Sequence, residues 1–292
     1  MAANKDRTIV VTGATGHQGG AAFRHLKQRD FAIRALLRNP EKPEARALDG
    51  HGVEIVRGDF DDAPSLRRAL DGADGAYSVQ AWQVGAENEV RQGIAFADAA
   101  DRQQVGHFVY SSVAGADLKS GIPHFESKGK IEEHIRRLGM PYTIVRPVFF
   151  MENWLMMRNG IESGAIMLPL SPQTRLQMIA VADIGAFVAL AFEHPGHWHN
   201  RAFELAGDEL SMTEIAQALS RASGREVRYQ QVPWDQFERR AGHEMTIMYR
   251  WFESNGYNVD IAGVRQNYPP LTSFNRWLEQ HWSRPAAQGA GG

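Results

Sequence analysis

Three glycines near the start of the chain are spaced so that a phosphate group could approach the backbone. They are Gly13, Gly16 and Gly19, and they follow the apolar run Ile9-Val10-Val11. The first glycine allows a sharp turn, the second a close approach of pyrophosphate, and the third tight packing of the following helix. The free N–H groups at the start of that helix favour an anion. The spacing predicts a dinucleotide site; an ordinary strand-to-helix turn is the alternative.

The end of the next strand determines which dinucleotide such a site prefers. That strand covers residues 31–37, and it is followed by Arg38 and, four residues later, Lys42. A carboxylate here would hydrogen-bond the ribose 2′-hydroxyl of NAD, whereas a guanidinium binds a 2′-phosphate through two parallel hydrogen bonds. We therefore expect Arg38 and Lys42 to favour NADP(H), with NAD(H) as the second choice. The alternative is a solvated surface arginine. The residues predicted around the pyrophosphate are Gly13, Thr15, Gly16, His17, Gln18 and Gly19.

A third strand ends at Gly58-Asp59-Phe60, at the edge of the sheet that would hold adenine. We expect Asp59 to accept a hydrogen bond from the adenine amino group, with Phe60 beside the ring. The alternative role for Asp59, Asp61 and Asp62 is to cap the helix that begins at Ala63. No histidine or further acid stands at a ligand-like spacing from these carboxylates, so no metal site is predicted.

More candidate residues follow the fourth and fifth strands, at the edge where open α/β sheets bind ligands. Val79 and Gln80 are predicted to contact the cofactor, and Trp82 to be either pocket wall or simple packing. The hydroxyls of Ser111 and Ser112 end the fifth strand. On the helix that starts near Pro123, His124 and Lys128 are four residues apart, so they lie on one helix face.

The elements that must position these residues alternate between strand and helix as far as residue 147. This alternation predicts an α/β fold, a doubly wound parallel sheet of the Rossmann type with a smaller α+β C-terminal region. We expect residues 1–155 to form the dinucleotide-binding domain, with 176–195 and 201–206 returning to it. Residues 156–284 would form the smaller region that covers the substrate, and residues 285–292 a flexible tail.

Composition argues against several other classes of protein. The 292 residues carry a formal net charge of −2 and no cysteine, so neither nucleic-acid binding nor disulfide or thiolate chemistry is indicated. No apolar run reaches the ~20 residues of a membrane span, and no apolar leader is recognised. We expect a cytoplasmic protein without direct contact to nucleic acid or membrane. Three histidines within residues 194–199 have no fourth ligand, which favours a surface loop over a zinc site.

Several segments together resemble the NmrA-like branch of the atypical short-chain dehydrogenases/reductases. The resemblance covers almost the whole chain and is most specific in Arg146-Pro147-Val148-Phe149-Phe150-Met151-Glu152-Asn153. The other segments that carry it are residues 12–20, 38–40, 58–62, 127–129, 181–185 and 274–278. The resemblance implies a Rossmann domain and an NADP(H) site. It also implies one of two functions: an NADPH-dependent reductase, or a regulator that reports the state of the dinucleotide to a protein partner.

The resemblance further implies roles for residues at the sheet edge. Typical short-chain reductases carry a tyrosine four residues before a lysine, and the lysine lowers the tyrosine pKa and anchors the nicotinamide ribose. Here Lys128 keeps the lysine position, His124 replaces the tyrosine, and Ser111 or Ser112 takes the serine role. A histidine can serve as general acid, although His124 could instead only cap or pack. The nicotinamide side is assigned to Pro147, Phe149, Phe150 and Asn153, and the substrate pocket to Trp82, Met151, Tyr249 and Phe252.

We therefore predict an NADP(H)-dependent reductase that transfers hydride to a small, apolar or aromatic substrate. A stabilised cation or a quinone-like acceptor would need no side-chain acid. The alternative is a non-catalytic NADPH sensor that acts through protein partners, which the missing tyrosine favours. A sugar-nucleotide epimerase is the weakest hypothesis, because it would need that tyrosine. Tyr249, Phe252 and their aromatic neighbours could equally form the core of the C-terminal region. A monomer or homodimer is expected.

Overall fold

The computed structural model describes residues 4–48, 50 and 52–282. The chain forms two compact units: the first is built from the segment up to Pro147 and from Val181–Leu205, and the second from Val148–Ala180 and the segment that starts at Ala206. The first unit therefore ends at Pro147 and not at residue 155, and its returning segment begins at Val181 and not at residue 176. The predicted tail, residues 285–292, lies outside the described residues.

The strands follow one another in this order: β1 (Thr8–Thr12), β2 (Ala32–Leu37), β3 (Val53–Arg57), β4 (Gly75–Ser78), β5 (His107–Ser111), β6 (Tyr142–Pro147), β7 (Phe149–Phe150), β8 (Ala165–Leu168), β9 (Arg175–Ile179), β10 (Arg201–Leu205), β11 (Asp208–Ser211) and β12 (Arg228–Gln231).

The α-helices are α1 (His17–Lys27), α2 (Pro43–Arg46), α3 (Ala63–Leu70), α4 (Ala86–Arg102), α5 (Pro123–Leu138), α6 (Asn153–Met156), α7 (Arg158–Glu162), α8 (Val181–Glu193), α9 (Pro195–Trp198), α10 (Met212–Ser223), α11 (Trp234–Ala241), α12 (His243–Ser254), α13 (Ile261–Asn267) and α14 (Phe274–His281). Among the described residues, no helix is both long and apolar enough to cross a membrane.

The first unit contains a parallel sheet with the strand order β10-β6-β5-β4-β1-β2-β3. The register pairs Thr12 with Leu36 and Leu37 with Arg57, so β1, β2 and β3 end at the same edge. On the other side of β1, Ser78 of β4 lies opposite Tyr110 of β5. The predicted doubly wound, Rossmann-like α/β fold is confirmed, and its carboxyl edge gathers the candidate residues that follow the strands.

Apolar faces on both sides of this sheet explain why the flanking helices bind to it. Helices α3, α4 and α5 bury Leu66, Phe96 and Ile131 in one cluster with Phe108 of β5. On the other side, α8 lies against α1. A Cβ at Gly185 would come within 2.4 Å of the carbonyl carbon of Ala21, so the two helix backbones approach closely. Burial of this amount of apolar surface is the main force that holds the layers together.

The second unit contains two small sheets, with strand orders β11-β9-β7 and β12-β8, and a set of helices. The sequence pattern missed β7, β11 and the short helices α2, α6, α7 and α13, because elements of two to seven residues carry little periodicity. In the first unit, the predicted histidine loop contains helix α9, and Trp198 at its end is buried. The loop prediction was therefore wrong for part of that segment.

Candidate functional site

The glycine loop joins β1 to α1 and needs glycine at two of its positions. Gly13 has φ +62°, a left-handed conformation that disfavours other residues. A Cβ on Gly19 would lie only 2.2 Å from the carbonyl oxygen of Gly13, so a side chain there would collide with backbone. Gly16 is the residue before α1, and its N–H donates to the Gly13 carbonyl at 2.8 Å. The loop thus brings bare backbone to the helix N-terminus, which suits a phosphate.

Hydrogen bonds hold the glycine loop to the ends of the neighbouring strands. The hydroxyl of Thr12 donates to the Tyr77 carbonyl at 3.1 Å and accepts the N–H of Val79 at 2.9 Å. The hydroxyl of Ser111 donates to the amide oxygen of Gln18 at 2.5 Å. Two of the predicted cofactor residues, Gln18 and Ser111, therefore contact each other and tie the end of β5 to α1.

A cavity of about 220 Å³ opens beside this loop, and we call it the loop cavity. Its lining joins the glycine loop, the end of β2 and the end of β4. The predicted residues that line it are Gly13, Thr15, Arg38, Asp59, Phe60 and Val79. Lys42, which lies just before the short helix α2, is not among the residues that line the cavity. The cavity and the glycine cradle fit the adenosine and phosphates of a dinucleotide.

The alternative role of the carboxylates after β3, capping α3 through a side-chain hydrogen bond, is not observed. Asp62 occupies the N-cap position without a side-chain hydrogen bond, whereas the Asp59 carboxylate accepts the N–H of Asp61 at 3.0 Å. The hydroxyl of Ser65 accepts the Asp59 N–H at 3.0 Å and donates to the Asp62 carbonyl at 2.7 Å. The serine therefore orders this turn, and the Asp59 carboxylate remains at the cavity wall.

Lys128 is held by a carboxylate that the sequence analysis did not identify. Its ammonium lies 2.8 Å from Oε1 of Glu89, and both side chains are almost fully shielded from water. The hydroxyl of Ser127 donates to the other carboxylate oxygen of Glu89. An ion pair out of water needs both partners, because removing one leaves an uncompensated buried charge. Glu89 therefore positions the Lys128 ammonium.

A sequence signal for Glu89 exists. On α4 the buried residues Glu89, Gly93, Phe96 and Ala100 recur at helical spacing, so the carboxylate falls on the apolar face. A charged residue on an apolar helix face indicates a buried partner, and here that partner is Lys128.

A second buried ion network fixes α5 on the sheet. Arg146 of β6 donates to Glu132 through Nε at 2.9 Å and Nη2 at 2.6 Å, and to Asp117 through Nη1 at 2.7 Å. Although burial opposes its charge, the hydrogen bonds that Arg146 donates to the carboxylates of Glu132 and Asp117 raise its pKa. The arginine in the segment that best carries the family resemblance thus has a structural role.

Two tyrosines of the central sheet, Tyr77 and Tyr110, do not take the place of the tyrosine that is missing at position 124. Tyr77 and Tyr110 are fully buried, and burial raises the pKa of each phenol; the nearby Glu89 and Glu132 charges raise that of Tyr110 further. A phenol with a raised pKa is a poor proton donor or acceptor near neutral pH. Both side chains are therefore neutral core groups.

His124 lies in an aromatic group at the edge of the sheet. Its ring centroid is 5.4 Å from that of Trp82 and 5.0 Å from that of Phe125. Trp82 is 41% exposed, whereas Phe125 is buried. His124 is therefore packed between a core ring and an exposed one, and this arrangement is compatible with packing and with ligand contact. Its role as general acid stays a prediction.

The remaining candidates of the first unit end strands at the same edge. The hydroxyl of Ser112 and the Oε1 atom of Gln80 are buried and have no hydrogen-bond partner in the described part of the chain, while Nε2 of Gln80 donates to the Ser78 hydroxyl at 2.9 Å. Pro147 ends β6, and its carbonyl accepts the N–H of Ala114 at 3.0 Å. Buried polar atoms without partners are rare, so Ser112 and Gln80 are candidates to meet a ligand.

The candidates of the second unit are mainly core residues of that unit. Phe149 lies 5.7 Å from Trp154 and 6.3 Å from Phe252, ring centroid to ring centroid. Tyr249 packs on Phe252 at 5.4 Å. Met151 is fully buried, while Phe150 ends β7 and Asn153 begins α6, both half-buried. This packing agrees with the alternative that Tyr249 and Phe252 form the core of the unit; their contact with substrate stays a prediction.

Among the residues that the structure describes, no group of three or more histidines, aspartates or glutamates is arranged to hold a metal ion. Two of the three clustered histidines pack against other aromatic rings. His197 stacks edge-on with Trp198 at 4.6 Å, and His199 with His107 at 4.3 Å. These rings are therefore packing partners.

Comparisons with known proteins agree with this geometry. The NAD(P)H azoreductase of Xenophilus azovorans is 34% identical over 230 residues, which is 78% of each chain. Quinone oxidoreductase 2 of Escherichia coli strain K12 is 28% identical over 228 residues, 76% of this chain and 77% of the relative. The crystal structure of the Citrobacter sp. triphenylmethane reductase complexed with NADP(H) superposes with a TM-score of 0.81 at 26% identity, covering 94% of this chain and 99% of that one. A model of the NmrA-like family matches residues 5–282, and the chain therefore belongs to the NmrA-like family.

Proposed function

We propose that the protein is an NADP(H)-dependent oxidoreductase that acts on a small, apolar or aromatic substrate. The observation that carries the proposal is the glycine cradle at the end of β1, which opens into the loop cavity with Arg38 in its wall. Relatives described as an NAD(P)H azoreductase and a quinone oxidoreductase support this reaction class. When bound, the cofactor would supply a hydride.

The chain's own residues would bind and orient that cofactor. The loop backbone and the N-terminus of α1 would hold the pyrophosphate, and Arg38 a 2′-phosphate. Lys128 would donate to the nicotinamide ribose, and Glu89 at 2.8 Å would hold its ammonium in place. The hydroxyl of Ser112, which is buried and has no hydrogen-bond partner among the described residues, would add a hydrogen bond at the same edge.

A flat, conjugated acceptor fits this site better than a simple ketone. A ketone needs a proton on its oxygen as hydride arrives, and the tyrosine that usually gives it is replaced by His124. A carbocation needs only the hydride, and a quinone takes hydride and then one proton from water. The exposed face of Trp82, next to His124, offers a ring on which such a substrate could stack. The Citrobacter sp. relative is named a triphenylmethane reductase.

A non-catalytic NADPH sensor is the second candidate function. The observation that favours it is the replacement of the acid: Tyr77 and Tyr110 are buried with raised pKa values, so neither can take over the proton transfer. A sensor would bind the cofactor tightly, release no oxidised product, and change its affinity for a protein partner between NADPH and NADP⁺.

One experiment separates the two functions. Tryptophan fluorescence would be titrated with NADPH and NADH, and absorbance of NADPH followed with a quinone, an azo dye, a triphenylmethane dye and an aldehyde. The reductase proposal expects preference for NADPH and turnover of at least one conjugated acceptor, with the aldehyde inert. Tight NADPH binding with no turnover of any acceptor would contradict the reductase and support the sensor. Absence of NADPH binding would overturn both.

The role of Lys128 has its own test. Because Lys128→Ala alone would strand the Glu89 carboxylate, the matched variant is Lys128→Met with Glu89→Gln, which removes both charges. We expect weaker NADPH binding or slower turnover with an unchanged fold. Wild-type cofactor affinity and turnover in this double variant would remove the anchoring role.

A further inference from the structure

A second cavity, of about 380 Å³, adjoins the loop cavity and shares Arg38, Gly58 and Asp59 with it. We call it the arginine cavity, because Arg38, Arg57 and Arg68 line it together. Ser65, Asp59 and Asp62 complete the wall. Lys42, which the sequence pairs with Arg38, lines neither cavity.

The three arginines come from three elements that the fold brings to one place. Arg57 is the last residue of β3, and Leu37 of β2 lies opposite it, so Arg38 and Arg57 leave the sheet at adjacent positions. Arg68 belongs to α3, which turns back over the edge after β3. Its neighbour Arg67 is exposed on the same helix but does not line the cavity.

The side chains of this cavity leave the guanidinium groups as its available donors. The Ser65 hydroxyl is already bonded to the turn that precedes α3. The Asp59 carboxylate accepts the Asp61 N–H at 3.0 Å. By contrast, neither Arg57 nor Arg68 forms an ion pair with a carboxylate in the part of the chain that the structure describes. Arg34, on the same sheet, does pair with Glu54 at 2.6 Å.

The charge of the cavity also favours an anion. Three arginines and two aspartates line it, which leaves a net charge of +1 before a ligand binds. A phosphomonoester carries about −1.5 to −2 at pH 7 and presents three acceptor oxygens. Guanidinium groups match such oxygens through paired, charge-assisted hydrogen bonds.

We infer that Arg57 and Arg68, together with Arg38, clamp the phosphomonoester of a nucleotide bound in the loop cavity, and that Lys42 does not. Under the proposed NADP(H) function, on which this inference rests, that group is the 2′-phosphate. Specificity for the phosphorylated dinucleotide then comes from β3 and α3 as well as from the end of β2.

The test compares two probes that differ only in the phosphate in question, 2′,5′-ADP and 5′-AMP, by calorimetric titration of the full chain. Wild type should bind 2′,5′-ADP more tightly. Arg57→Gln and Arg68→Gln should each weaken 2′,5′-ADP by about 10-fold while 5′-AMP changes less than about twofold. Arg57→Lys keeps the charge but loses the paired geometry, so an intermediate loss is expected.

Two matched controls sharpen the result. Arg67→Gln removes the same charge from the next position of α3, and Lys42→Gln removes the cation that the sequence favoured; both should keep the preference of wild type. The salt dependence of 2′,5′-ADP binding should also become shallower in Arg57→Gln and Arg68→Gln than in Arg67→Gln. All four positions are exposed, so unchanged circular dichroism is expected throughout.

The outcomes separate this inference from the proposed function. If wild type prefers 2′,5′-ADP and Arg38→Gln loses the preference, while Arg57→Gln and Arg68→Gln keep it, the clamp is wrong and the NADP(H) function stands. An effect of Lys42→Gln as large as that of Arg57→Gln would also overturn it. If wild type binds neither NADPH nor 2′,5′-ADP, the proposed function and the clamp fail together.

Discussion

Two regions of the first unit differ in whether their positively charged side chains are paired with carboxylates. Beneath α4 and α5, two cations are each paired with a buried carboxylate. Lys128 lies 2.8 Å from Glu89, and Arg146 donates two hydrogen bonds to Glu132. At the edge formed by β2, β3 and α3, Arg57 and Arg68 are exposed and have no carboxylate partner among the described residues. The first set is satisfied by the fold itself, whereas the second set has donors to offer to a ligand.

This contrast distinguishes structural cations from ligand-binding ones better than residue type does. A charge removed from water must be compensated within the protein, so its partner is part of the fold. An exposed arginine costs little without a partner and gains most from a dianion. Lys128 combines both situations, since Glu89 fixes it while its helix α5 begins at the ligand edge of the sheet.

The largest expected effect on stability comes from breaking the buried pair of Glu89 and Lys128. Glu89→Leu leaves the Lys128 ammonium buried without its acid, and the free energy of unfolding should fall by about 3–5 kcal/mol. Adding Lys128→Met should restore most of that loss, because both charges are then gone. Urea denaturation of the two variants measures this. A double variant as unstable as Glu89→Leu would mean that the pair is not coupled.

The next effect tests the region that meets the ligand. Gly19→Ala places a Cβ about 2.2 Å from the Gly13 carbonyl oxygen, so the loop must move. We expect a loss of about 1–3 kcal/mol in unfolding free energy and a large loss of NADPH affinity. Gly196→Ala is the control, because its Cβ would meet nothing within 4 Å. Wild-type NADPH binding by Gly19→Ala would show that the loop does not hold the phosphates.

His107 is buried and has no acid partner among the described residues, and this predicts that stability depends on pH. Burial, then the neighbouring His199 and Arg7, lower the pKa of His107 to about 3. The unfolded chain takes up this proton near pH 6.5 and the folded chain does not, so stability falls as pH drops below 6.5. Between pH 7.5 and 5.5, His107 should contribute a loss of about 1.4 kcal/mol.

Denaturation of wild type and His107→Gln at these two pH values gives the measurement. The variant keeps a hydrogen-bonding group near Thr143, whose Oγ1 lies 2.8 Å from Nε2 of His107. Its stability should depend less on pH than that of wild type, and His199 remains in both proteins as a common contribution. Equal pH dependence of the two proteins would contradict the assignment.

The smallest effect concerns an exposed pair, as a contrast to Glu89 and Lys128. Arg158 and Glu162 are four residues apart on one helix and 2.9 Å from each other, and their side chains are 39% and 47% exposed. Glu162→Gln should change the unfolding free energy by only about 0.3–0.5 kcal/mol, because water solvates both charges and the side chains lose entropy on pairing. A change above 2 kcal/mol would remove the distinction between exposed and buried pairs.

Much of the fold follows from local sequence patterns. The strand predicted over residues 31–37 differs from β2 by one residue, and the helices predicted to begin at Ala63 and near Pro123 are α3 and α5. These elements have clear periodicity, which is what such prediction depends on. The boundary between the two units at Pro147 was harder to predict from the sequence, because β6 is followed directly by β7 without a glycine- or proline-rich linker. Short elements such as β7 depend on pairing with β9, a contact that local sequence does not report.

For the candidate site, the sequence by itself determined which backbone could meet a phosphate. Gly13 and Gly19 are required by backbone geometry within a few residues, so their spacing alone identifies the loop. Only the tertiary structure decided the partners of the charges: Glu89 rather than solvent for Lys128, and Arg57 and Arg68 rather than Lys42 beside Arg38. The reason is physical. Ion pairing and cavity lining depend on distances between side chains from separate elements, and packing of the sheet and helices sets those distances.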